Sequence, residues 1–143
     1  MRLSHRVHTR ATPAQVWQVL GDPQAWPTFD PFLWRVRGRQ ASSGQHLVGV
    51  ARVARLRIPL DVLEATPGKR LVLLVHTAPG VRETVTTDIT PAVRGGCDLE
   101  VSVVVEGLFA PLAVVPLYLS SGVTARLLAA RSDAVARAAR RAA

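Results

Sequence analysis

The sequence predicts an α+β domain in which a curved antiparallel sheet of about seven strands grips one long C-terminal helix. Strand patterns follow one another through the middle of the chain, and helical patterns are confined to a short stretch after the first strand and to the Ala-rich C-terminal third. A curved sheet cannot bury its concave face alone, and only the C-terminal helix is long enough to fill it. We therefore interpret residues 1–143 as a single domain, with two short helices after the first strand.

The strands are predicted from alternating apolar and polar residues. They fall at residues 3–10, 32–39, 46–53, 56–65, 71–77, 81–90 and 97–106. The last of them alternates most clearly, with Leu99, Val101 and Val103 on one side and polar residues on the other. Such a pattern is typical of an antiparallel strand with one buried face.

Helix signals flank this region. Thr12 followed by Pro13 predicts a helix start, because threonine caps and proline is tolerated in the first turn. A second Asp-Pro pair at residues 22–23 predicts another short helical turn. From about residue 111 the chain is predicted to be helical to its end, with interruptions at Pro116 and Gly122.

Aromatic residues concentrate in one stretch of an otherwise aromatic-poor chain. All three tryptophans and two of the three phenylalanines lie between Thr12 and Gly38. This density indicates a specialised concave surface, and it predicts a container for an apolar small molecule.

Several short motifs carry a resemblance to a known family. They are Thr12-Pro13-Ala14-x-x-Trp17, Asp22-Pro23-x-x-Trp26-Pro27, Asp30-Pro31, Val36-x-Gly38 and Pro67-Gly68-Lys69-Arg70-Leu71. With the order of elements, they make the whole chain similar to the START-like, helix-grip superfamily, in particular its polyketide cyclase/dehydrase and lipid-transport-like branch. The resemblance implies an apolar cavity between sheet and helix that binds a lipid, a polyketide or another hydrophobic molecule.

The candidate ligand-binding residues are aromatic rings near the predicted mouth and apolar residues on predicted inner faces. They are Trp17, Trp26, Phe29, Trp34, Val85, Val101, Val103, Phe109, Tyr118 and Leu128. Aromatic rings offer a large apolar area, and Trp and Tyr add a polar group.

Three ionisable residues are candidates for catalysis, although the chain contains no standard catalytic motif. Glu83 shares a predicted strand face with Val85, and a carboxylate in an apolar cavity can act as a general acid or base. Arg131 shares a helix stripe with Leu128, so it could pair with Glu83 or with a ligand. His76 ends a very apolar strand. The alternatives are that Glu83 reaches water at the open end of its strand and that Arg131 lies at the rim.

Composition narrows the choice of partners. The net charge is +8, but the arginines are scattered along the strands, so we expect no nucleic-acid partner. Cys97 is the single cysteine and no histidine pair has metal-ligand spacing, so we expect no metal and no cofactor. The N-terminus lacks the apolar stretch of a signal peptide, which predicts a cytoplasmic protein without stable membrane insertion.

The apolar segment 108–119 leaves three alternatives open. It could be a lid over the cavity, buried core, or a contact between two copies of the chain. Three functions also remain open. The protein could be a carrier or sensor of a hydrophobic molecule, or a cofactor-free cyclase or dehydratase that uses the same cavity. It could also be a protein-interaction module that acts through this segment. The protein is expected to be a monomer or a homodimer.

Overall fold

The computed structural model describes residues 1–143 and contains seven strands, two α-helices and one 3-10 helix. The strands are β1 (Arg2–Thr9), β2 (Leu33–Val36), β3 (His46–Ala51), β4 (Arg57–Thr66), β5 (Arg70–Ala78), β6 (Val81–Pro91) and β7 (Cys97–Glu106). The helices are α1 (Pro13–Leu20), the 3-10 helix (Pro23–Thr28) and α2 (Ala110–Ala142).

The seven strands form one antiparallel sheet in the order β1-β7-β6-β5-β4-β3-β2. Strands β2 to β7 form a meander, and β1 closes the arrangement by pairing with the last strand. Register shifts in β4 and β5 add local bends to the curvature of the sheet. The predicted fold class is confirmed: one curved sheet, two short helices after β1 and a long terminal helix.

The two short helices start as their sequences predict. The Thr12 side chain accepts a hydrogen bond from the Gln15 N–H, and the Gln15 side chain accepts one from the Thr12 N–H. The Asp22 side chain caps the 3-10 helix by accepting from the Gln24 N–H. The Trp26 indole N–H donates to the Leu20 carbonyl at 2.8 Å, which fixes the 3-10 helix against α1.

Helix α2 is continuous for 33 residues, so the predicted interruptions at Pro116 and Gly122 are wrong. Packing explains the glycine, because a Cβ at Gly122 would lie only 3.1 Å from the nearest atom of the His5 ring. The His5 Nε2 lies 3.0 Å from the Tyr118 carbonyl oxygen, so the ring also has a polar contact with the helix backbone.

The buried face of α2 is made largely of small residues. Ala125, Ala129, Ser132 and Ala136 are buried there, with Leu128 as the large side chain among them. Leu128, Ala129 and Ala136 belong to the main core cluster, together with apolar residues of α1 and the sheet. Small side chains allow the backbone of the C-terminal half of α2 to approach its neighbours closely.

Both halves of α2 contact the strands of the sheet or the turns next to them. Near the C-terminal end, the Asp133 carboxylate accepts from the Thr9 hydroxyl at 2.6 Å and from the Arg10 N–H at 2.8 Å. At the N-terminal end, the Phe109 ring covers Gly80, whose φ of +80° and crowded position both favour glycine. The Phe109 N–H also donates to the Gly80 carbonyl at 3.1 Å.

By length and composition alone, α2 would also qualify as a membrane-spanning helix, a test that core helices of soluble proteins pass as well.

Replacing Asp133 with Ala should lower the free energy of unfolding by about 1.5–3 kcal/mol, the usual range for a hydrogen bond to a charged group. The change leaves the Thr9 hydroxyl and the Arg10 N–H without their acceptor. Urea denaturation measures the loss. Arg131→Ala, at an exposed position of the same helix, is the control and should change stability by no more than about 0.5 kcal/mol. Equal effects of the two variants would mean that Asp133 does not anchor the helix.

Candidate functional site

A cavity of about 470 Å³ lies between the inner face of the sheet and the N-terminal half of α2. Of its 29 lining residues, 21 are hydrophobic, so its walls favour apolar molecules. The sheet wall comes from Leu33 of β2, Ala51 of β3 and mostly alternate residues of β4 to β7, as the period of a strand requires. The helix wall comes from Ala113, Pro116, Leu117, Ser120, Ser121, Thr124 and Leu128.

Six of the ten predicted ligand-binding residues line this cavity. They are Trp26, Phe29, Val85, Val101, Val103 and Leu128. Trp26 and Phe29 reach it from the 3-10 helix and the residue that follows, and the valines reach it from β6 and β7. Their contact with a ligand stays a prediction.

Two predicted aromatic residues, Trp17 and Trp34, lie outside the lining. Trp17 is buried in the main core cluster, where its indole packs against Gly21. Trp34 lies at the surface, with the guanidinium groups of Arg35 and Arg55 at 4.6 and 3.9 Å from its ring centroid. The assignment of both residues to the cavity was wrong. Trp34 lies on the outer face of its strand, because strand residues alternate between two faces. Trp17 lies on the side of α1 that packs into the core, and the sequence did not distinguish that side from one facing the cavity.

Phe109 and Tyr118 also lie outside the cavity lining. The Phe109 ring packs on the Gly80 turn, and Tyr118 packs on His5 with ring centroids 4.7 Å apart. Both rings are about half exposed. They position α2 on the sheet instead of forming the walls of the site, so this part of the prediction was wrong.

The mouth of the cavity contains three apolar residues that sequence reasoning missed. Phe32, Val53 and Leu56 line the cavity while remaining more than half exposed. They lie in the segments that precede β2 and join β3 to β4. The predicted strands 32–39, 46–53 and 56–65 included these residues, but the observed strands end before them. Strand alternation therefore did not predict the direction of their side chains.

The apolar segment 108–119 is divided between two environments. Its inner residues, among them Ala113 and Leu117, line the cavity. Its outer residues are exposed, as shown by Leu108 at 82%, Leu112 at 79% and Val115 at 68%. The alternative of a fully buried core segment is therefore wrong for this outer face.

Glu83 faces the cavity from β6, between Val75 of β5 and Val105 of β7. Only 7% of its surface is exposed, so the alternative in which this carboxyl reaches water is wrong. Its Oε1 is buried and has no hydrogen-bond partner. Leaving a buried acceptor without a donor typically costs about 1–3 kcal/mol.

The environment of Glu83 favours its protonated form. Burial raises the pKa of the Glu83 carboxyl above the ordinary value of 4.5. The Thr77 hydroxyl acts in the opposite direction, and the nearby charge of Asp30 raises the pKa further. This is the kind of shift that general acids and bases share, although a buried group without catalytic function shows it as well.

Asp30 is a second carboxyl at the cavity, and sequence reasoning gave it no role in the site. Burial raises its pKa, whereas backbone N–H groups of Phe32 and Leu33 and the charge of Arg52 lower it. Its Oδ1 accepts from the Phe32 N–H at 2.9 Å. The available signal was its position between Phe29 and Phe32 in the aromatic-rich stretch, but no periodicity indicated that it faces inward.

His76 belongs to the outer face of the sheet, so its assignment to the cavity was wrong. Its neighbours Val75 and Thr77 line the cavity, and His76 must therefore point to the other side of β5. There its Nε2 lies 3.2 Å from Oδ2 of Asp61, which also pairs with His46. These contacts lower the pKa of the Asp61 carboxyl.

Arg131 is exposed and does not line the cavity, so the predicted Arg131–Glu83 pair is wrong. The buried stripe of α2 runs through Ser132 instead, rotated by about a quarter turn from the predicted stripe at 100° per residue. The prediction followed the larger apolar residues Leu128 and Val135, but the helix buries its small residues.

Asp30 and Glu83 are thus the only ionisable residues that line the cavity. No group of three or more His, Cys, Asp or Glu side chains is arranged to hold a metal ion. The arrangement can desolvate an apolar molecule, accept hydrogen bonds from it, and exchange a proton with it.

A sheet wrapped around a long C-terminal helix, with an apolar cavity between them, defines the helix-grip class of folds. Within that class, the family model "Polyketide cyclase / dehydrase and lipid transport" matches residues 1–143. The chain therefore belongs to this family. No curated protein sequence shows significant similarity to it.

Solved structures show the same fold at low sequence identity. An aromatase/cyclase from a Streptomyces species, Zhui, is 16% identical, with a TM-score of 0.75 and 97% coverage of each chain. A START superfamily protein from Mycobacterium smegmatis is 16% identical, with a TM-score of 0.67, and the match covers 96% of this chain and 98% of that one. A Mesorhizobium loti protein is 17% identical, with a TM-score of 0.77 and coverage of 93% and 97%.

Replacing Glu83 with Gln should raise the melting temperature most at neutral and alkaline pH. Because the pKa of Glu83 is raised in the folded state, ionising it costs stability as pH rises from about 4.5 through the raised value. The gain from Glu83→Gln should therefore be smallest below pH 4.5 and largest above the raised pKa. Thermal unfolding from pH 4 to 9 measures the difference in melting temperature between wild type and Glu83→Gln. The other titrating groups are common to both proteins, so their effects cancel in this difference.

Glu106→Gln removes an exposed carboxyl at the end of β7 and reports the effect of charge removal alone. A difference between wild type and Glu83→Gln that stays constant with pH, or that grows toward acid pH, would contradict the raised pKa.

Proposed function

We propose that the protein binds a hydrophobic small molecule, such as a lipid or a polyketide, in the cavity between sheet and α2, as a carrier or a sensor. The observation that carries this proposal is the cavity of about 470 Å³ with its mainly hydrophobic lining. Small-molecule sites in proteins usually occupy roughly 300–1,000 Å³ and combine apolar walls with a few polar groups. The family description, which includes lipid transport, supports the same proposal.

Apolar burial supplies the affinity in this proposal. A ligand that buries about 200 Å² of apolar surface gains about 5 kcal/mol at roughly 25 cal/mol per Å². Part of that gain offsets the loss of translational and rotational freedom on binding. Trp26, Phe29 and Leu33 are already buried in the core, so this wall of the cavity is formed before a ligand arrives.

A cyclase or dehydratase without a cofactor is a second candidate function. The observation that favours it is Glu83, a buried carboxyl that faces the cavity and whose pKa is raised. Such a carboxyl could donate or accept a proton as a bound poly-keto chain folds. Turnover of a poly-keto substrate that is lost in Glu83→Gln, with binding retained, would support this function over simple binding.

The interaction-module alternative rests on the exposed outer face of the 108–119 segment. Leu108, Leu112 and Val115 form an apolar surface of the kind that often marks a contact with another molecule. Gel filtration across a concentration series separates a monomer from a homodimer.

The free, buried Cys97 is compatible with the reducing interior of a cell, where we place the binding function.

Filling the cavity should weaken binding without unfolding the protein. Val85 lines the cavity from β6, so Val85→Phe should place a ring in the space that the ligand occupies. We expect binding of the neutral fluorophore N-phenylnaphthylamine to weaken at least about tenfold, or 1.4 kcal/mol. Fluorescence titration measures the affinity, and thermal unfolding checks both folding and the stabilisation that a bound ligand gives.

Val48→Phe is the matched control, because Val48 lies on the outer face of β3 and is half exposed. It should bind the fluorophore as wild type does. Equal affinities of wild type and Val85→Phe would mean that the fluorophore binds elsewhere, and the proposed function would lose its site.

A further inference from the structure

The ionisable residues of the cavity are acidic, whereas the molecule as a whole is basic. The chain has 18 basic and 10 acidic residues, yet the two ionisable residues that line the cavity, Asp30 and Glu83, are both acidic. No arginine, lysine or histidine lines it. An anionic ligand such as a fatty acid would therefore enter a site with two carboxyl groups and no partner for its own charge.

Glu83 presents an acceptor that the protein does not satisfy. Its Oε1 is buried without a hydrogen-bond partner, and Val75 and Val105, its neighbours on β5 and β7, cannot donate. The Thr77 hydroxyl is the side-chain donor that acts on this carboxyl, and it leaves Oε1 without a partner. Buried polar groups in native proteins are normally paired. A donor on the ligand would complete this site.

Asp30 and three aromatic rings also favour a cationic ligand. Asp30 and Glu83 line the same cavity, so a cation bound there would interact with both carboxyl groups. Trp26, Phe29 and Phe32 line the cavity from the same stretch of chain as Asp30. Aromatic faces attract cations, and an ammonium group offers three hydrogen-bond donors.

We propose that the ligand is a molecule with an apolar body and a protonated amine, and that the ammonium group binds between Glu83 and Asp30 while the body fills the apolar cavity. This inference rests on the proposed function and narrows its ligand class. The hydrocarbon part contacts the valines and leucines of β5 to β7 and the inner face of α2. The ammonium group supplies the donor that Glu83 Oε1 lacks.

A series of three ligands with the same chain tests the inference: decylamine, decanol and decanoate. Their affinities are measured at neutral pH by displacement of N-phenylnaphthylamine. We expect decylamine to bind about tenfold or more tightly than decanol, and decanoate to bind most weakly, because charge-assisted hydrogen bonds are stronger than neutral ones. In Glu83→Gln, the advantage of the amine over the alcohol should disappear.

Glu106→Gln is the matched control, since it removes an exposed glutamate from β7 and should leave all three affinities unchanged. Asp30→Asn is a second variant in case Glu83→Gln does not fold. Its amide oxygen can still accept from the Phe32 N–H, and it should reduce the preference for the amine in the same direction.

The outcomes separate the two proposals. Equal affinities of decylamine and decanol would overturn the amine inference and leave an apolar binding site in place. Tightest binding of decanoate would do the same and would indicate that a cation such as Arg52 binds the ligand. Failure of all three ligands and of the fluorophore to bind would overturn the proposed function itself.

Discussion

The way α2 is held against the sheet determines the rest of this structure. Its C-terminal half packs on the core through small residues and is tied to β1 through Asp133, and its N-terminal end is attached to the Gly80 turn through Phe109. Between these attachments, the helix and the curved sheet enclose the apolar cavity. The C-terminal half of α2 thus supplies most of the helix's core contacts and the N-terminal half most of its cavity wall, with Leu128 belonging to both.

Desolvation links the fold to the chemistry of the site. The apolar walls that would attract a hydrophobic molecule also raise the pKa of Glu83 and Asp30, because they remove water from both carboxyl groups. A ligand with a hydrogen-bond donor would relieve this unfavourable burial, whereas a purely apolar ligand would increase it. Under the proposed function, the two acids would make the cavity selective, where apolar walls alone would accept many molecules.

The sequence predicted the strands well, because a strand has a strict period of two and one slip would move every apolar residue to the wrong face. The same period offered an inner position for Glu83, but it left open the alternative that this carboxyl reaches water, which the burial of Glu83 excludes. The sequence predicted α2 as an element but not its orientation. The larger apolar residues of α2 placed Arg131 at the centre of the predicted inner face, but the helix buries Ala129, Ser132 and Ala136. Asp30 was missed because it lies in a segment without periodicity. Aromatic character alone was also a poor guide, since Trp34 and Tyr118 are at the surface.

A crystal structure of the protein with decylamine tests the central claim most directly. The alkyl chain should lie between the sheet and the N-terminal half of α2, with its nitrogen about 2.7–3.2 Å from the Glu83 carboxylate. Decylamine bound on the exposed outer face of α2, beside Leu112 and Val115, with the space around Glu83 filled by protein side chains, would contradict the account.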